Sequence, residues 1–243
     1  RGLWNDLHAS HFGGHVGRDA MLKRFQERYW WPTMNQDITQ WCAECNDCRA
    51  SKPGFDAATR LNLLPQARAW ERLHIDLIDM SNNPSAHGHK YILVVRDAGT
   101  RWTVLKPLYN KTANAVLRRV AKIFAEYGTP LSVVSDPGSE FLNDEFKEMW
   151  IQLRVQHRTA AVNHHQSNGM AERVNRVVHQ YFRLFEVGDR WSEYLPTAQF
   201  TINSTVNQTT RYSPAQLMLG RSLLFPSDVP RLLQKTLSSD AMD

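Results

Sequence analysis

The middle of the chain carries short apolar segments bounded by turn-forming residues, a pattern typical of β-strands. The turn at 98–101 joins two of these segments as a hairpin. Amphipathic segments with a helical period lie between and after the later ones. The order therefore predicts a mixed α/β domain with a central sheet of five strands. The predicted strands occupy 72–80, 90–97, 102–108, 131–135 and 154–160.

The predicted helices of this region have recognisable ends. Thr112 is a suitable N-cap for a helix over 112–128, and Gly128 followed by Pro130 ends it. A short helix is predicted to begin near Asn143. In the segment 163-NHHQSNGMAERVNR-176, a polar Asn-Gly loop is predicted to lead into a longer helix that has Glu172 at its start. Its expected apolar stripe comprises Val174, Val177, Val178, Tyr181, Phe182 and Phe185. Further helices are predicted to about Gly220.

The first 52 residues differ from the rest because they are rich in His, Cys and Trp. Helical patterns over 17–31 and 35–45 predict a small helical module. A segment with two prolines and no clear period follows and is interpreted as a linker. The predicted organisation is a helical module at 1–52, a linker at 53–69, the α/β domain at 70–225 and a tail at 226–243.

Composition narrows the possible functions only slightly. The chain has 243 residues, a formal net charge of +5 and a pI of about 9.2, which is compatible with nucleic-acid binding. The sequence contains no membrane-spanning run, so we expect no membrane partner. It begins without Met and has no signal segment, so we expect a chain excised from a longer protein. Its three cysteines crowd into 42–48, which favours metal binding over a disulfide framework and suggests an intracellular compartment.

Histidines and cysteines at the two ends of the first module suggest a structural zinc site. Cys45 and Cys48 form a CxxC pair, and His15 with either His8 or His11 can complete a tetrahedral set. His11 and His15 have the spacing of a chelating pair on a helix. A module of this size gains folding energy from a metal. The alternative is a set of buried free thiols and surface histidines. Cys42, three residues before Cys45, is either a spare thiol or a core residue.

Three acidic residues suggest a second metal centre. Asp76 lies within a predicted strand, Asp136 closes another, and Glu172 lies on the polar face of the long helix. Two Asp and one Glu can hold two divalent cations of the kind that assist phosphodiester chemistry, and oxygen-only ligands favour Mg (or Mn). Each acid alone has an ordinary alternative, since Glu172 near a helix start is favourable electrostatically. Rival acids nearby are Asp79, Glu140, Asp144 and Glu145.

At these residues the chain resembles the integrases of retroviruses and gypsy-type retrotransposons. The segments that carry the resemblance are 8-HASHFGGH-15, 29-YWWP-32, 45-CNDC-48, 74-HID-76, 135-SDPGSEF-141, 164-HHQSNGMAERVNR-176 and 213-SPAQLMLGR-221. Asp136 and Glu172 have 35 residues between them, a separation common in this family. Pro137, His165 and Met170 depart from the usual pattern of the family.

The resemblance implies a ribonuclease H-like core with Asp76, Asp136 and Glu172 as catalytic acids, behind a zinc module in which His8 matches gypsy-type members and His11 matches retroviral ones. It implies metal-dependent 3′-end processing and strand transfer, double-stranded DNA as partner, a homo-oligomer on DNA, and a nuclear site of action for the integration step after a cytoplasmic particle. The alternatives are a host-adopted DNA-binding protein without catalysis and a simple nuclease of the same fold. Residues expected to face DNA are Gln166, Asn175, Arg176, His179 and Arg183.

Overall fold

A computed structural model describes residues 2–51, 67–135, 138, 141, 143–159 and 165–231, although the side chains of 50, 51 and 165–172 lie outside that description. The chain divides into two compact units, one formed by Arg1–Lys52 with Phe200–Asp243 and one formed by Pro53–Gln199. The predicted boundaries at 52, 69 and 225 stay a prediction. The compact units differ from them by grouping residues 200–243 with the N-terminal module.

The second unit contains a five-stranded sheet in the order β3-β2-β1-β4-β5. β1 pairs antiparallel with β2 and parallel with β4, β2 pairs antiparallel with β3, and β4 pairs parallel with β5. The expected mixed sheet with a hairpin is therefore confirmed. The strands are β1 (Arg72–Asp79), β2 (Tyr91–Asp97), β3 (Thr103–Leu108), β4 (Ser132–Ser135) and β5 (Gln156–Thr159).

Helices in this unit begin where local capping predicts them. Thr112 caps α5 (Ala113–Tyr127) by accepting from Ala115 N, and Asn143 caps α6 (Asp144–Gln152) by accepting from Phe146 N. The apolar stripe of α5 is buried at Val116, Val120, Ile123 and Phe124. The remaining helical segments are α7 (His165–Leu184), the short turn Gly188–Arg190 and α8 (Trp191–Ser204), whose last residues belong to the first unit.

Helix α7 begins earlier than the sequence suggested. The polar segment before Glu172 was expected to be a loop, but the helix starts at His165 and runs through Gly169. A helical glycine costs only about 1 kcal/mol, which the long amphipathic run behind it can offset. Its stripe is buried at Val174, Val178, Tyr181 and Phe182, whereas Val177 is exposed.

The first unit is a helical module completed by the C-terminal segment. Its α-helices are α1 (Gly2–Trp4), α2 (Arg18–Gln26), α3 (Met34–Glu44), α4 (Asn46–Ser51) and α9 (Pro214–Leu219). A π-helical turn at Asn5–Ala9 follows α1. Its apolar core contains Leu7, Met21, Phe25, Met34, Ile38 and, from the far end of the chain, Phe225. Among the described residues, no helix has both the length and the apolar character of a membrane span.

Buried charges tie the C-terminal segment to the module. Arg28 Nε donates to Asp228 Oδ1 over 2.9 Å, and Asp228 is only 1% exposed. Arg24 is also buried and donates to Leu7 O, Gly13 O and Thr205 Oγ1. Burial, with a smaller contribution from Arg28, lowers the pKa of Arg24 to about 9. The segment is therefore held by satisfied polar contacts as well as by apolar packing.

Candidate functional site

Four side chains of the first unit converge on one point. His8, His15, Cys45 and Cys48 each offer one ligand atom, and these atoms all lie within 4.8 Å of one another. Cys45 Sγ lies 3.3 Å from His15 Nδ1, and Cys48 Sγ lies 3.5 Å from His8 Nε2 and 3.6 Å from His15 Nδ1. His8, His15 and Cys48 are buried. The predicted cluster is thus assembled by the fold.

The spacing of these atoms fits a tetrahedral zinc ion. Zn–S bonds of about 2.3 Å and Zn–N bonds of about 2.0–2.1 Å place nitrogen and sulfur of neighbouring ligands about 3.5 Å apart. The observed nitrogen–sulfur separations of 3.3 to 3.6 Å match this requirement. Two thiolates and two imidazoles form a closed donor set of the structural kind. The residues present therefore fit zinc.

Two adjacent glycines bring the histidines together. A Cβ on Gly13 would approach the backbone of His8 to 2.6 Å, and one on Gly14 would approach the side chain of Thr201 to 2.2 Å. Gly14 also has φ +63, and His15 follows with φ 49, so the chain turns sharply here. His15 N then donates to His8 O over 2.8 Å. The pair 13-GG-14 is thus a steric requirement of the cluster.

Further groups orient the two imidazoles. The indole of Trp4 stacks on His8 with ring centroids 4.0 Å apart. Asp47 Oδ2 lies 3.7 Å from His15 Nε2, the nitrogen that does not face the cysteines. A carboxylate on the outer nitrogen is a common device for fixing a metal-binding histidine. The spacing argument had singled out neither Trp4 nor Asp47.

The structure also bears on the alternatives left open by the sequence. Within the described residues the cluster includes His8 and leaves out His11. His11 and His15 lie in turns and not on one helix, so the expected helical pair is not observed. Cys42 packs, partly buried, against the apolar core of the unit. The core-residue interpretation of Cys42 therefore fits the structure.

In the second unit, Asp76 occupies the centre of the sheet. It lies on β1 opposite Val94 of β2, and its carboxylate is half-buried. Oδ1 accepts from Leu77 N over 2.8 Å, and Oδ2 accepts from Asn175 Nδ2 of α7 over 3.0 Å. The acid is therefore held between its own strand and α7.

The other two predicted acids are only partly described. Asp136 lies outside the described residues, although Ser135 before it pairs with Ile75, the neighbour of Asp76. Glu172 lies on α7, and its side chain is outside the description. It precedes Asn175 by three residues, and positions three apart lie on one side of a helix. The backbone thus places Glu172 one turn from the residue that bonds Asp76.

The predicted DNA-facing residues fall into three sets. Arg176, His179 and Arg183 are exposed along α7. Partial burial, followed by the charge of Arg183, lowers the pKa of His179, so this histidine is neutral at neutral pH. Asn175 faces Asp76, which the sequence argument had not foreseen. Gln166 lies within α7, with its side chain outside the description.

One buried histidine beside this site was missed. His74 precedes Asp76 by two residues on β1 and is 7% exposed. Desolvation, with the nearby charges of Arg101, Arg72 and Arg96, lowers its pKa to about 4. The imidazole is therefore neutral at physiological pH. The signals in the sequence were its position two residues before an acid on a predicted strand and its place in the segment 74-HID-76.

Known proteins show the same two-part organisation. Residues 2–54 match the family "Integrase zinc binding domain" and residues 66–165 match "Integrase core domain". The Pro-Pol polyprotein of feline foamy virus is 31% identical over 221 residues, which are 87% of this chain and 18% of that protein. Gypsy retrotransposon integrase-like protein 1 of Bos taurus is 25% identical over 226 residues, which are 91% of this chain and 44% of that protein.

A solved structure supports the fold. The simian T-cell lymphotropic virus intasome in complex with PP2A regulatory subunit B56 gamma matches with a TM-score of 0.56 and 17% identity, covering 88% of this chain and 74% of that chain. The chain spans less than half of the length of the feline foamy virus and Bos taurus proteins. With a zinc-binding domain followed by a core domain, it belongs to the integrases of retroviruses and gypsy-type retrotransposons.

Proposed function

We propose that this integrase trims the 3′ ends of element DNA and joins them to target DNA, with Asp76, Asp136 and Glu172 as its catalytic acids. Family membership supports a polynucleotidyl transferase core. In-line phosphoryl transfer needs positioned acids and no protein nucleophile. The donor end and the target are both double-stranded DNA, bound by a homo-oligomer. The integration step belongs in the nucleus.

One observation carries the proposal: the bond between Asn175 Nδ2 and Asp76 Oδ2. It fixes α7 against β1 at the predicted acid, one helical turn from Glu172. On the other side of β1, the parallel partner β4 ends at Ser135, directly before Asp136 in sequence. Ligand sites of α/β sheets lie at such strand ends.

The donor chemistry of this site suits divalent magnesium or manganese, since the three side chains offer carboxylate oxygens only. When bound, a pair of such ions polarises the scissile phosphate and stabilises the attacking and leaving oxygens. The bonds from Leu77 N and Asn175 Nδ2 orient the carboxylate of Asp76. At the other centre, His8, His15, Cys45 and Cys48 would hold one structural zinc ion.

The exposed face of α7 is the proposed DNA surface. Residues 154–190 contain six arginines against three acids. Arg176 and Arg183 lie on the exposed side of the helix whose buried side packs on the sheet. Arginine contacts to phosphates position a duplex without reading its sequence. Target selection should therefore depend little on base identity.

The test is a strand-transfer assay on oligonucleotides with magnesium, using the full-length parent protein. Asp76→Asn and Glu172→Gln keep the size of each side chain and remove its charge. Both should lower end trimming and strand transfer together by about three orders of magnitude or more, because one site serves both reactions. DNA affinity should stay the same or increase, since a negative charge is lost.

Glu186→Gln provides the control. Glu186 is exposed and lies two residues past the end of α7, so it should retain wild-type activity. If Asp76→Asn and Glu172→Gln also retained strand transfer, the acids would have no catalytic role. A wild-type protein that binds DNA without any transfer would instead match the non-catalytic DNA-binding alternative.

A further inference from the structure

A serine–histidine hydrogen bond joins β4 and β5 on the face of the sheet opposite α7. Ser135 Oγ lies 2.9 Å from His157 Nε2. Ser135 is the last residue of β4 and directly precedes Asp136 in sequence. His157 belongs to the neighbouring strand, where it pairs with Val133. The bond therefore runs diagonally across the two strands, towards the end of β4.

Burial determines what such a pair can do. A serine bonded to a histidine could in principle act as a nucleophile. Ser135, however, is only 2% exposed, so a DNA phosphate cannot reach its hydroxyl. Burial lowers the pKa of His157, which keeps the imidazole neutral at neutral pH. A neutral ring offers one donor and one acceptor, which suits a structural link.

The ring of His157 is also held by aromatic packing against α6. It stacks on Trp150 of α6, with centroids 5.5 Å apart and an interplanar angle of 26°. Trp150 is 4% exposed and contacts Phe146 and Phe124 of the helical layer. The rigid side chains of this layer therefore define where Nε2 of His157 lies.

We propose that His157 is a positioning residue for the catalytic site, because its bond to Ser135 holds the end of β4 from which the chain continues into Asp136. The inference rests on the proposed function, in which Asp136 is a catalytic acid. β4 has only four residues and ends at Ser135. A link at its last residue thus restrains the chain where the acid begins. Displacements of about 1 Å in a catalytic group can cost about a hundredfold in rate.

The experiment compares two substitutions of His157 in the full-length protein. His157→Phe keeps an aromatic ring to stack on Trp150 but removes the bond. His157→Gln places an amide nitrogen near the position of Nε2 and can restore it. We expect His157→Phe to lower the turnover number for strand transfer by about 10- to 100-fold, with an unchanged KM for DNA and a higher magnesium requirement. His157→Gln should recover most of that loss.

A second serine–histidine pair in the same unit provides a matched control. His89 Nδ1 lies 3.2 Å from Ser85 Oγ in the loop between β1 and β2. His89→Phe breaks a bond of the same type away from β4, so it should leave turnover unchanged. Ser135→Ala, which removes the same bond from the other side, should match His157→Phe, and the double variant should lose no more than either single one.

The outcomes separate this inference from the proposed function. An inactive wild-type protein overturns the proposed function and the inference with it. An active wild type whose turnover is preserved in His157→Phe overturns the positioning role alone. The same holds if Ser135→Ala keeps wild-type turnover while His157→Phe loses it, because the loss would then not depend on the bond that the two residues share. A change in KM for DNA without a change in turnover would also overturn it.

Discussion

Replacing Phe225 by alanine should destabilise the unit that carries the zinc cluster, although this residue lies at the far end of the chain. The ring is 1% exposed and belongs to the apolar core formed with Leu7 and Phe25. A buried Phe→Ala change typically costs about 3–5 kcal/mol through lost transfer energy and the cavity left behind. The guanidinium carbons of Arg24 and Arg28 lie 4.8 and 5.2 Å from the ring centroid, so cation–π attraction is lost as well.

Because the chain forms two units, a single unfolding midpoint would mix their stabilities. Hydrogen exchange followed by peptide-resolved mass spectrometry separates them. A loss of about 3–5 kcal/mol should lower the protection of amides in α2 and α3 by about a hundredfold or more. Amides of β1 and β2 should keep their protection. The measurement therefore reports on the affected unit alone.

Leu224→Ala is the matched control, because its side chain is 49% exposed beside Phe225. It should change protection by less than about 0.5 kcal/mol, as expected for an exposed position. The reasoning is refuted if Phe225→Ala lowers protection in α2 and α3 no more than Leu224→Ala does. The C-terminal segment would then contribute nothing to the stability of the module.

Three further predictions concern the metal, pH and DNA. Cys48→Ser should lower bound zinc from about one equivalent to less than half in elemental analysis and should destabilise the module. Cys42→Ser, the control, should keep about one equivalent of zinc. The pKa of His74 is about 4 in the folded state against an ordinary 6.5, so the unfolded chain takes up a proton at a higher pH than the folded chain does. The stability of the sheet unit should therefore fall by about 3 kcal/mol as pH drops from 6.5 to 4. His74→Gln should remove that part of the pH dependence in urea titrations followed by hydrogen exchange of β1 amides. In binding titrations with unrelated DNA sequences, Arg176→Ala should reduce the slope of log affinity against log salt by about one. Lys122→Ala on α5, the control, should leave that slope unchanged. An equal slope for the two variants would contradict the assignment of α7 as the DNA surface.

Local chemistry allowed much of the sheet unit to be predicted. Thr112 and Asn143 were recognisable as caps because a side-chain oxygen before an amphipathic run satisfies the first free amides. The start of α7 at His165 was not predictable in this way, since Asn168 and Gly169 have turn propensity and only packing further along the helix overrides it.

Long-range contacts were the part that the sequence could not reveal. Phe225 gave no periodic signal and was predicted to be the last residue of the α/β domain, yet it lies in the core of the zinc unit. The choice between His8 and His11 likewise depended on a tight turn at Gly14, whose close contact is with Thr201. The partner of Asn175 lies 99 residues away on β1, so pattern alone placed it with the exposed polar face. Each of these depends on the neighbour that the fold supplies.

The discontinuous make-up of the first unit has a consequence for biosynthesis. Its N-terminal part ends at Lys52, but its core lacks Phe225 until a further 173 residues (225 − 52) have been synthesised. At roughly 5–20 residues per second, the ribosome needs on the order of 10–30 seconds to cover that distance. During this interval the nascent module exposes apolar side chains that the finished protein buries, such as Leu7 and Phe25. Early capture of zinc, or shielding by a chaperone, would then decide how many chains mature without aggregating.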